Sequence, residues 1–581
     1  MAALKPITNK VINSPETCVD DNLRGLVAAY PLLHLHPKHR VVTLRFKDDS
    51  RKVAVIGGGG SGHEPFAAGF VGDGMLCGAV AGGIFASPPT GNVLYAITHL
   101  HKYNSGGVLV LIGNYTGDRL NFGKAIEKAK IAGIKVEGVI VGEDVASSQN
   151  KTGGRGMCAE VFLYKMCGAL ANDNASLEEV RDLAMDARQY MATLGICLTP
   201  CSLPGQAPLF EIAHGMMELG AGVHGEAGIA KVKFGTAQEV VAIVLEKIVN
   251  HLKLASGHRV VAMVNNLGGT SILEMNIISK EIKEYLESRQ IRVERIFSGH
   301  MKSSLEMHGF QICLLHLNEQ RGDAWLRLLD APTNAPGWTG GEASVRREGG
   351  IGDDDSLLHA EGGKIKLGPG LTSEEQNVFR SCLQKAAEEL VKNESLLNKL
   401  DSGCGDGDCG NTLKRFGQAV LDYLITASLE FPSNVLWDLS EIAEADMGGT
   451  SGGIYSLGLS AASQAFASAK SCDVSSWLLA WESAMQAISK YGGAEPGDRT
   501  MLDTLDTAAV TFKQNLKGDL NTLLAKTSAA AESGCKATAD MTAKAGRASY
   551  VARAYVNDED AGARAAAIWL QAIFNTITNK I

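Results

Sequence analysis

The segment that decides the architecture of this chain is Ala331-Pro-Thr-Asn-Ala-Pro-Gly-Trp-Thr-Gly-Gly341, which continues through Gly349-Gly-Ile-Gly-Asp-Asp-Asp355 to Gly368-Pro-Gly370. Proline, glycine and charged residues dominate it, and it lacks the apolar periodicity of the sequence on either side. Such a composition is typical of a linker. We therefore predict a flexible linker at 336–370, which separates a domain at 9–335 from a second domain at 371–581.

The composition predicts globular domains and excludes two classes of protein. The chain has 581 residues, of which 45% are hydrophobic and 20% charged, and its formal net charge is -9. A nucleic-acid-binding surface usually shows as an excess of basic residues, and no apolar run reaches the roughly 18 residues of a membrane helix. The N-terminus lacks a secretory signal pattern. Twelve dispersed cysteines without a C-x-x-C pair predict a reduced, intracellular protein.

Before the linker, runs rich in β-branched residues alternate with helical patterns. The predicted strands are 41–46, 53–56, 108–112, 136–141, 260–264, 293–297 and 312–317. The predicted helices between them include 122–132 and 272–286, and Ser271 with Glu274 forms a capping-box pattern. This alternation predicts an α/β sheet that is covered by helices.

After the linker, the pattern becomes helical. Stretches rich in Ala, Leu, Lys, Glu and Gln with amphipathic spacing occur at 373–399, 460–470, 475–490 and 563–577. They predict an all-α bundle that presents Gly- and Asp-rich loops at one end. All 14 histidines lie at or before His359, so the second domain has no histidine chemistry.

The first of these loops is Leu400-Asp-Ser-Gly-Cys-Gly-Asp-Gly-Asp-Cys-Gly-Asn-Thr-Leu413, in which Asp401, Asp406 and Asp408 fall within eight residues. Clustered carboxylates repel one another unless they are exposed or neutralised by cations. Hard oxygen ligands suit Mg²⁺ that is shared with substrate phosphates. A calcium EF-hand does not fit, because the twelfth position counted from Asp406 is Gly417. The alternative is a solvated acidic turn.

Two motifs of the first domain could form an acid/base pair. Gly57-Gly-Gly-Gly-Ser-Gly-His-Glu-Pro65 follows a predicted strand and matches G-x-G-x-x-G. It lacks the later acidic residue of a dinucleotide site and the Gly-Lys-Ser/Thr of a P-loop, so it remains a turn that presents His63. Asn114-Tyr-Thr-Gly-Asp-Arg-Leu-Asn-Phe122 follows a second strand, and Asp118 could pair with His63 at the same sheet edge. The alternatives are a histidine bound to a local backbone group and a helix N-cap.

A third motif, Gly220-Ala-Gly-Val-His-Gly-Glu-Ala-Gly228, places His224 between glycines, where it is uncrowded. A neutral imidazole can serve as a nucleophile, a base or a metal ligand. No second histidine or cysteine stands at zinc-ligand spacing nearby, which disfavours metal ligation. A simple turn histidine is the alternative.

Further loops of the second domain could bind phosphate. Met447-Gly-Gly-Thr-Ser-Gly-Gly453 precedes an apolar stretch, where backbone amides at a helix N-terminus and hydroxyl groups could bind an anion. Close helix packing on small residues explains the same pattern equally well. Other candidate loops are 496–503, 546–550 and 560–563, although Arg547 could equally form a surface ion pair.

These motifs together resemble the dihydroxyacetone kinase family over nearly the whole chain. The first half resembles the substrate-binding kinase subunit through GGGGSGHEP, NYTGDRLNF and GVHGEAG, and the second half resembles the nucleotide-binding subunit through DSGCGDGDCG, MGGTSG, PGDRTMLD and GRASY. Fusion of both in one chain is the ATP-dependent arrangement. The resemblance implies a multidomain protein with an α/β substrate-binding kinase domain followed by an all-α helical-barrel nucleotide-binding domain.

The resemblance also implies roles for individual residues. His224 would hold dihydroxyacetone as a covalent hemiaminal, and His63 and Asp118 would assist proton transfer. Residues that would line the substrate pocket, besides His63 and Asp118, are Gly60, Ser61 and Gly62. Residues that would hold two Mg²⁺ ions are Asp401, Asp406 and Asp408. Residues that would contact the nucleotide are Gly405, Asp406, Gly407, Asp408, Thr450, Ser451, Arg499, Met501, Asp560, Ala561 and Gly562.

The implied activity is ATP-dependent phosphorylation of dihydroxyacetone and D-glyceraldehyde. A second implied activity splits FAD to AMP and cyclic FMN with Mn²⁺ or Co²⁺. The implied setting is a homodimer in the cytosol, with no nucleic-acid or membrane partner. A catalytically weak, ligand-binding regulatory protein is the alternative, and a dinucleotide oxidoreductase is weakened by the missing ribose-binding acid.

The chain departs from the family pattern at two positions. Gly113 stands where relatives often carry lysine before Asn-Tyr-Thr-Gly-Asp, so another cation or water must replace that substrate contact. Cys409 stands where bacterial relatives often carry histidine, as it does in eukaryotic fused forms. The second departure leaves the predicted metal carboxylates unchanged.

Overall fold

A computed structural model describes residues 9–45, 52–149, 151–208, 210–340, 367–403, 405–551 and 558–580, without the side chain of Arg547. The chain divides into two compact units, Met1–Gly352 and Asp353–Ile581. Most of the predicted linker lies outside the described residues. Trp338, which stands inside the predicted linker, packs on Phe297 in the first unit with ring centroids 4.8 Å apart, and Leu371, directly after the linker, is buried in the second unit.

The described part of the first unit contains two six-stranded sheets. The first has the order β1-β2-β4-β3-β5-β6. Its strands are β1 Leu33–His36, β2 Val41–Leu44, β3 Ala54–Ser61, β4 Gly78–Ile84, β5 Val108–Gly113 and β6 Val136–Val141. Strand β3 pairs in parallel with both β4 and β5, so the segments that follow β3 and β5 leave the same edge of the sheet.

The second sheet has the order β11-β10-β12-β7-β8-β9. Its strands are β7 Met191–Thr199, β8 Met216–Leu219, β9 Ala230–Lys233, β10 Arg259–Asn266, β11 Arg292–Gly299 and β12 His308–Leu317. Among the described pairs of this sheet, only β10 and β11 run in parallel.

The helices of the first unit cover and separate these sheets. The α-helices are α1 Cys18–Ala29, α2 Thr90–Tyr103, α3 Thr116–Ile131, α4 Glu160–Asn172, α5 Leu177–Ala187, α6 Ala237–Leu252, α7 Ile272–Glu287 and α8 Gly322–Asp330. Short 3₁₀ helices lie at Pro37–His39, Ala68–Phe70, Val145–Ser147 and Arg188–Tyr190. Helix α4 shares one apolar core with strands of both sheets and is buried on nearly every side.

The α/β prediction for the first domain is confirmed, with corrections at the element ends. Strand β6 has the predicted bounds, and the capping box of Ser271 and Glu274 is present. The strand predicted at 41–46 ends at Leu44, and position 46 lies outside the described residues. Helix α3 begins at Thr116 rather than at 122, because its first turns carry polar residues that hide the apolar period.

The described residues of the second unit form helices joined by loops, with no strand among them, as predicted. Its α-helices are α9 Ser373–Lys392, α10 Glu394–Asp401, α11 Cys409–Tyr423, α12 Pro432–Ile442, α13 Gly449–Ala467, α14 Val474–Gly492, α15 Met501–Asn515, α16 Leu520–Ala537 and α17 Ala561–Lys580. A π-helical segment lies at Ala443–Met447 and a 3₁₀ helix at Arg547–Tyr550. The helix predicted at 373–399 is two helices, because Asn393 interrupts it between α9 and α10.

None of the described helices has the length and apolar character to cross a bilayer.

Candidate functional site

The structure brings together three side chains that were singled out in the first domain. His63 follows β3, Asp118 lies in the first turn of α3 directly after β5, and His224 lies in the loop that follows β8. The ring centroids of His63 and His224 are 4.9 Å apart. Asp118 reaches towards the end of β3, where its Oδ2 lies 3.8 Å from the Cβ position of Gly59. Both sheets therefore contribute to one cluster.

His63 is fully buried and is held in one tautomer. Its Nδ1 lies 2.8 Å from the carbonyl oxygen of Ser303, which can only accept, so Nδ1 donates and carries the proton. Its Nε2 has no hydrogen-bond partner among the described atoms. Burial holds the pKa of His63 well below its usual value, and nearby His224 and Lys302 lower it further. The local-backbone interpretation is wrong, because Ser303 lies 240 residues away.

Asp118 is not a helix N-cap, which corrects the alternative interpretation of this residue. Tyr115 occupies the N-cap of α3, and Asp118 stands three residues later. Its Oδ1 is buried without a hydrogen-bond partner among the described atoms. Burial raises the pKa of this carboxyl group. A buried carboxylate with an unfilled oxygen is suited to accept a proton or a hydrogen bond from a ligand.

His224 is held by aromatic contacts and by its own loop. Its ring centroid lies 4.6 Å from that of Tyr115 and 5.4 Å from that of Phe85. Its backbone N–H donates to Glu226 Oε2 at 2.9 Å. Burial lowers the pKa of His224 to about 4, although the negative charge of Glu226 opposes this. The imidazole is therefore neutral near pH 7 and can act as a nucleophile.

Arg155 clamps the loop that carries His224, and sequence reasoning missed it. Its Nη1 donates to Glu226 at 3.2 Å and its Nη2 to the Gly220 carbonyl at 2.8 Å. Its Nε donates to Asp144 at 2.7 Å, which anchors the guanidinium on the first sheet's side. Three acceptors around one planar cation fix the loop's position.

The glycine-rich turn at 57–65 forms a tightly packed side of the candidate site. The Ser61 hydroxyl donates to the Gly82 carbonyl at 2.9 Å, and the Gly62 N–H donates to Glu64 at 3.0 Å. A Cβ at Gly60 would lie 2.8 Å from the Ala86 nitrogen, so only glycine fits there. A cavity of about 390 Å³ is lined by Gly60 and Ser61 among others, but by none of the three clustered side chains.

A buried ion pair beside the cluster was also missed. Lys302 Nζ lies 2.8 Å from Glu160 Oε1, and both side chains are almost completely buried. Glu160 begins α4 and Lys302 follows β11, so 142 residues separate them and no local pattern links them. The one available signal was the missing lysine at Gly113, which predicted that another cation or a water molecule takes its place.

In the second unit, the three clustered aspartates lie close together. Asp401, Asp406 and Asp408 each place one oxygen within 4.8 Å of the others. Asp401 ends α10, and its Oδ2 accepts hydrogen bonds from the N–H groups of Asp408 and Cys409 at the start of α11. Asp406 and Asp408 are exposed. Oxygen ligands on an exposed loop fit a hard divalent cation that keeps some of its water.

One further loop, at the start of α17, lies near this acidic loop. Cys409 stands directly after Asp408, and burial raises the pKa of its thiol to about 12, with Asp401 and Asp560 as charged neighbours. Asp560 Oδ1 accepts from the Ala563 N–H and caps α17. Among the predicted nucleotide residues, Gly405, Gly407, Ala561 and Gly562 belong to these same two loops.

Arg499 and Met501 lie behind Asp560 rather than on the surface. Arg499 is 2% exposed, and its Nη2 donates to the Asp558 carbonyl at 2.8 Å. Its Nη1 lies 3.7 Å from Asp560 Oδ2, and neither Nη1 nor Nε has a hydrogen-bond partner among the described atoms. Met501 is buried in an apolar cluster, and its Cβ lies 3.6 Å from the Cβ position of Gly562.

Thr450 and Ser451 occupy the first turn of α13, whose N-cap is Gly448. Gly448 and Gly449 have φ angles of 66° and 57°, which favour glycine. Thr450 is exposed, so its hydroxyl and the free N–H groups of this helix end face solvent. The fourth candidate loop forms the 3₁₀ helix Arg547–Tyr550, and the side chain of Arg547 lies outside the description.

Comparisons with known proteins match both units. A Dak1 domain model matches residues 24–337 and a DAK2 domain model matches residues 403–575. Triokinase/FMN cyclase of Mus musculus is 41% identical over 591 residues, which cover 99% of each chain. The dihydroxyacetone kinase of C. freundii in complex with AMP-PNP and Mg²⁺ is 29% identical, with a TM-score of 0.67 over 99% of this chain and 100% of that one.

A third protein resembles part of the chain. A dihydroxyacetone kinase operon co-activator is 30% identical and has a TM-score of 0.52. The match covers 56% of this chain and 99% of that one.

Proposed function

The chain belongs to the dihydroxyacetone kinase family, and we propose that it phosphorylates dihydroxyacetone and D-glyceraldehyde with ATP. One observation carries the proposal: the neutral imidazole of half-buried His224 packs against the ring of His63, and both His63 and Asp118 have a buried atom without a hydrogen-bond partner among the described atoms. This set can bind and deprotonate a small polar substrate. The second unit supplies the acidic loop that nucleotide phosphates require.

Substrate capture is proposed to occur on His224. The ring nitrogen that bears the lone pair forms a bond to the carbonyl carbon, and the C=O π electrons move to oxygen. That oxygen takes up a proton while the other ring nitrogen releases one, which leaves a neutral hemiaminal. Glycerol has no carbonyl and cannot form this bond, so the chemistry selects short ketones and aldehydes.

Phosphoryl transfer is proposed to use the remaining side chains. Asp118 and His63 assist removal of the single proton of the primary hydroxyl, whose oxygen forms a bond to the γ-phosphorus of ATP while ADP leaves. Gly60, Ser61 and Gly62 bound the pocket. Asp401, Asp406 and Asp408 would hold two Mg²⁺ ions, which neutralise charge on the ATP phosphates when bound. The proposed nucleotide contacts are Gly405, Asp406, Gly407, Asp408, Thr450, Ser451, Arg499, Met501, Asp560, Ala561 and Gly562.

We also propose a second activity, the splitting of FAD to AMP and cyclic FMN. A hydroxyl group of the FMN half attacks its own phosphorus, the bond to the AMP phosphate breaks, and AMP leaves with the proton. The name of the mouse relative supports this proposal. The activity would use the second unit, with Mn²⁺ or Co²⁺ as the metal, and should persist in a fragment of residues 371–581 that has lost the kinase reaction. A folded fragment that leaves FAD intact would show that the first unit takes part.

The proposed kinase is tested by ADP release with three substrates. Dihydroxyacetone and D-glyceraldehyde should support turnover and glycerol should not. Intact-mass analysis after incubation with dihydroxyacetone should show the protein plus one substrate molecule. ADP release with glycerol at the rate seen with dihydroxyacetone would contradict the proposal.

The setting of the enzyme is proposed from the family as well. We propose a cytosolic homodimer in which 336–370 acts as a linker between domains at 9–335 and 371–581. Native mass measurement of the purified chain tests the dimer, and a fluorescent fusion tests the location.

A catalytically weak regulatory protein is the second candidate, because a dihydroxyacetone kinase operon co-activator resembles part of this chain. That likeness covers 56% of this chain, whereas the C. freundii kinase covers 99% of it. Ligand binding without turnover in the ADP assay would favour this candidate.

A further inference from the structure

Lys302 is a buried cation beside the histidines of the first unit. Its side chain is 4% exposed, and Nζ donates to Glu160 Oε1 at 2.8 Å and to the Gly156 carbonyl at 3.1 Å. An ammonium carries three N–H groups, and a buried lysine is costly unless its charge and its donors are matched. The hydrogen bonds described account for two of the three.

The ammonium lies near two aromatic rings, one of which contacts His224. Nζ lies 4.2 Å from the ring centroid of Phe66 and 5.5 Å from that of Tyr115. Tyr115 contacts the ring of His224. The next residue after Lys302 is Ser303, whose carbonyl oxygen holds His63. One short segment after β11 therefore fixes the tautomer of His63 and brings a positive charge to its pocket.

The charge of Lys302 acts on the groups that face it. Burial is the main cause of the low pKa values of His63 and His224, and Lys302 lowers both further. It opposes the burial that raises the pKa of Asp118 and Glu160. The titratable groups around it come from several elements: His63, Asp118, Glu143, Glu160 and His224.

Gly113 leaves space for the ion pair between Glu160 and Lys302. Gly113 ends β5, and a Cβ there would lie 2.7 Å from Glu160 Oε1. The Glu160 carboxylate therefore occupies the space in which a side chain at position 113 would begin. Lys302 reaches the same carboxylate from the segment between β11 and β12.

We propose that Lys302 is the cation of the substrate site, and that its ammonium binds an oxygen atom of the small carbonyl substrate. In this arrangement Lys302 supplies the positive charge that relatives often carry as a lysine at position 113 on β5. Glu160 fills the space that Gly113 leaves and holds Lys302 in place. When His224 adds to the carbonyl carbon, negative charge grows on the oxygen, and a fixed ammonium stabilises it before protonation. The inference rests on the proposed kinase function.

The first test is Lys302→Met in the full-length chain. We expect kcat/KM for dihydroxyacetone to fall about 100-fold, the scale for one lost charge-stabilising donor. The matched control is Lys165→Met, since Lys165 is equally buried but donates to the Leu328 carbonyl away from the cluster. Its kcat/KM should stay within about twofold, because loss of a remote buried group lowers stability rather than catalysis.

The second test separates catalysis from folding. Lys302→Met leaves Glu160 buried without a cation, which can unfold the protein. The double variant Lys302→Met/Glu160→Gln removes both charges and should fold, yet it should remain about 100-fold impaired. A folded double variant with kcat/KM within about threefold of native would overturn the inference.

The third test moves the cation back to β5. Gly113→Lys/Lys302→Met should recover at least about tenfold of the activity lost by Lys302→Met, because a lysine at 113 can pair with Glu160. Gly113→Lys alone places two ammonium groups on one carboxylate and should bring no gain. The acid limb of kcat/KM should move to higher pH in Lys302→Met, because His224 loses a neighbouring positive charge. No recovery in the double variant together with an unmoved acid limb would overturn the inference.

ADP release by the native protein distinguishes failure of the proposed kinase function from failure of the proposed role of Lys302. If native protein releases no ADP with dihydroxyacetone, the proposed function fails and this inference fails with it. If native protein is active while the Lys302 variants match it, only the inference fails.

Discussion

The side chains of the two candidate sites of this chain differ in how deeply they are buried. In the first unit His63, Asp118, Glu160 and Lys302 are buried, and their positions are set by hydrogen bonds and rings from both sheets. In the second unit Asp406 and Asp408 are exposed on a loop between two helices. Under the proposed function, the first site binds a small neutral molecule, and bound cations neutralise the carboxylates of the second site.

The largest expected effect comes from substitutions in the acidic loop of the second site. Asp406→Ala or Asp408→Ala should lower both the kinase and the FAD-splitting activity by about 1,000-fold or more, because the phosphate charge is no longer neutralised. The fold should survive, since both side chains are exposed. Steady-state assays at saturating Mg²⁺ and a thermal melt test this. Near-normal turnover in either variant would show that the aspartates form only a solvated turn.

A slightly smaller effect, confined to the kinase activity, is expected from a substitution in the first site. His224→Ala should lower kinase kcat/KM for dihydroxyacetone by about 100- to 1,000-fold, because the nucleophile is gone. FAD splitting should be unchanged, since residues 371–581 contain no histidine. The mass adduct with dihydroxyacetone should also vanish. Tight ketone binding by the variant would return His224 to the role of a turn residue.

A moderate effect is expected when the loop that carries His224 is loosened. Arg155→Met removes the clamp on Glu226 and the Gly220 carbonyl, so the His224 loop should loosen and kinase kcat/KM should fall about tenfold. Arg295→Met is the matched control, because Arg295 makes a comparable two-point contact with Asp330.

The control variant should keep its kinase rate. Equal losses of activity in Arg155→Met and Arg295→Met would mean that general destabilisation, rather than loop position, explains the result. A thermal melt of each variant reports stability separately from rate.

The smallest effect concerns pH. Free imidazole titrates near pH 6.5, whereas burial lowers the pKa of His224 to about 4. The proposed nucleophile is therefore neutral, and kinase kcat/KM should change little from pH 7 to about pH 5 before it falls. An acid limb near pH 6.5 would show that His224 is exposed to water.

The same shift predicts a difference in stability between the units. Unfolding exposes His224, which then binds a proton below pH 6.5, while the folded site resists protonation until about pH 4. The first unit should thus lose stability as pH falls through this window. The histidine-free residues 371–581 lack this contribution. Melts of the full chain and of the fragment between pH 7 and 5 compare the two.

Sequence reasoning succeeded where the signal was local. The strand at Val136–Val141, the Ser271 capping box and the helical second unit all depend on periodicity or on neighbours a few residues apart. Strand β4 was missed because its sequence Gly-Ala-Val-Ala-Gly-Gly-Ile has few β-branched residues. It forms a strand because it pairs with β2 and β3 on both sides.

The parts of the site that sequence reasoning missed are long-range. Asp118 and His224 stood in recognisable motifs, but Lys302, Arg155 and the Ser303 carbonyl act through partners tens to hundreds of residues away. Their positions follow from the way both sheets pack on α4, which no spacing along the chain records. Met501 and Arg499 stood in a recognised loop, yet their burial depends on α17 packing beside α15.

The contact between Glu160 and the Cβ position of Gly113 constrains which substitutions the first unit tolerates. A library randomised at position 113 alone should return glycine, since even a Cβ there would lie 2.7 Å from a carboxylate oxygen that is already bound to Lys302. A library randomised at 113 and 302 together should return lysine at one position or the other, but not at both. The two positions, 189 residues apart in sequence, would thus covary as a pair in any selection for kinase activity.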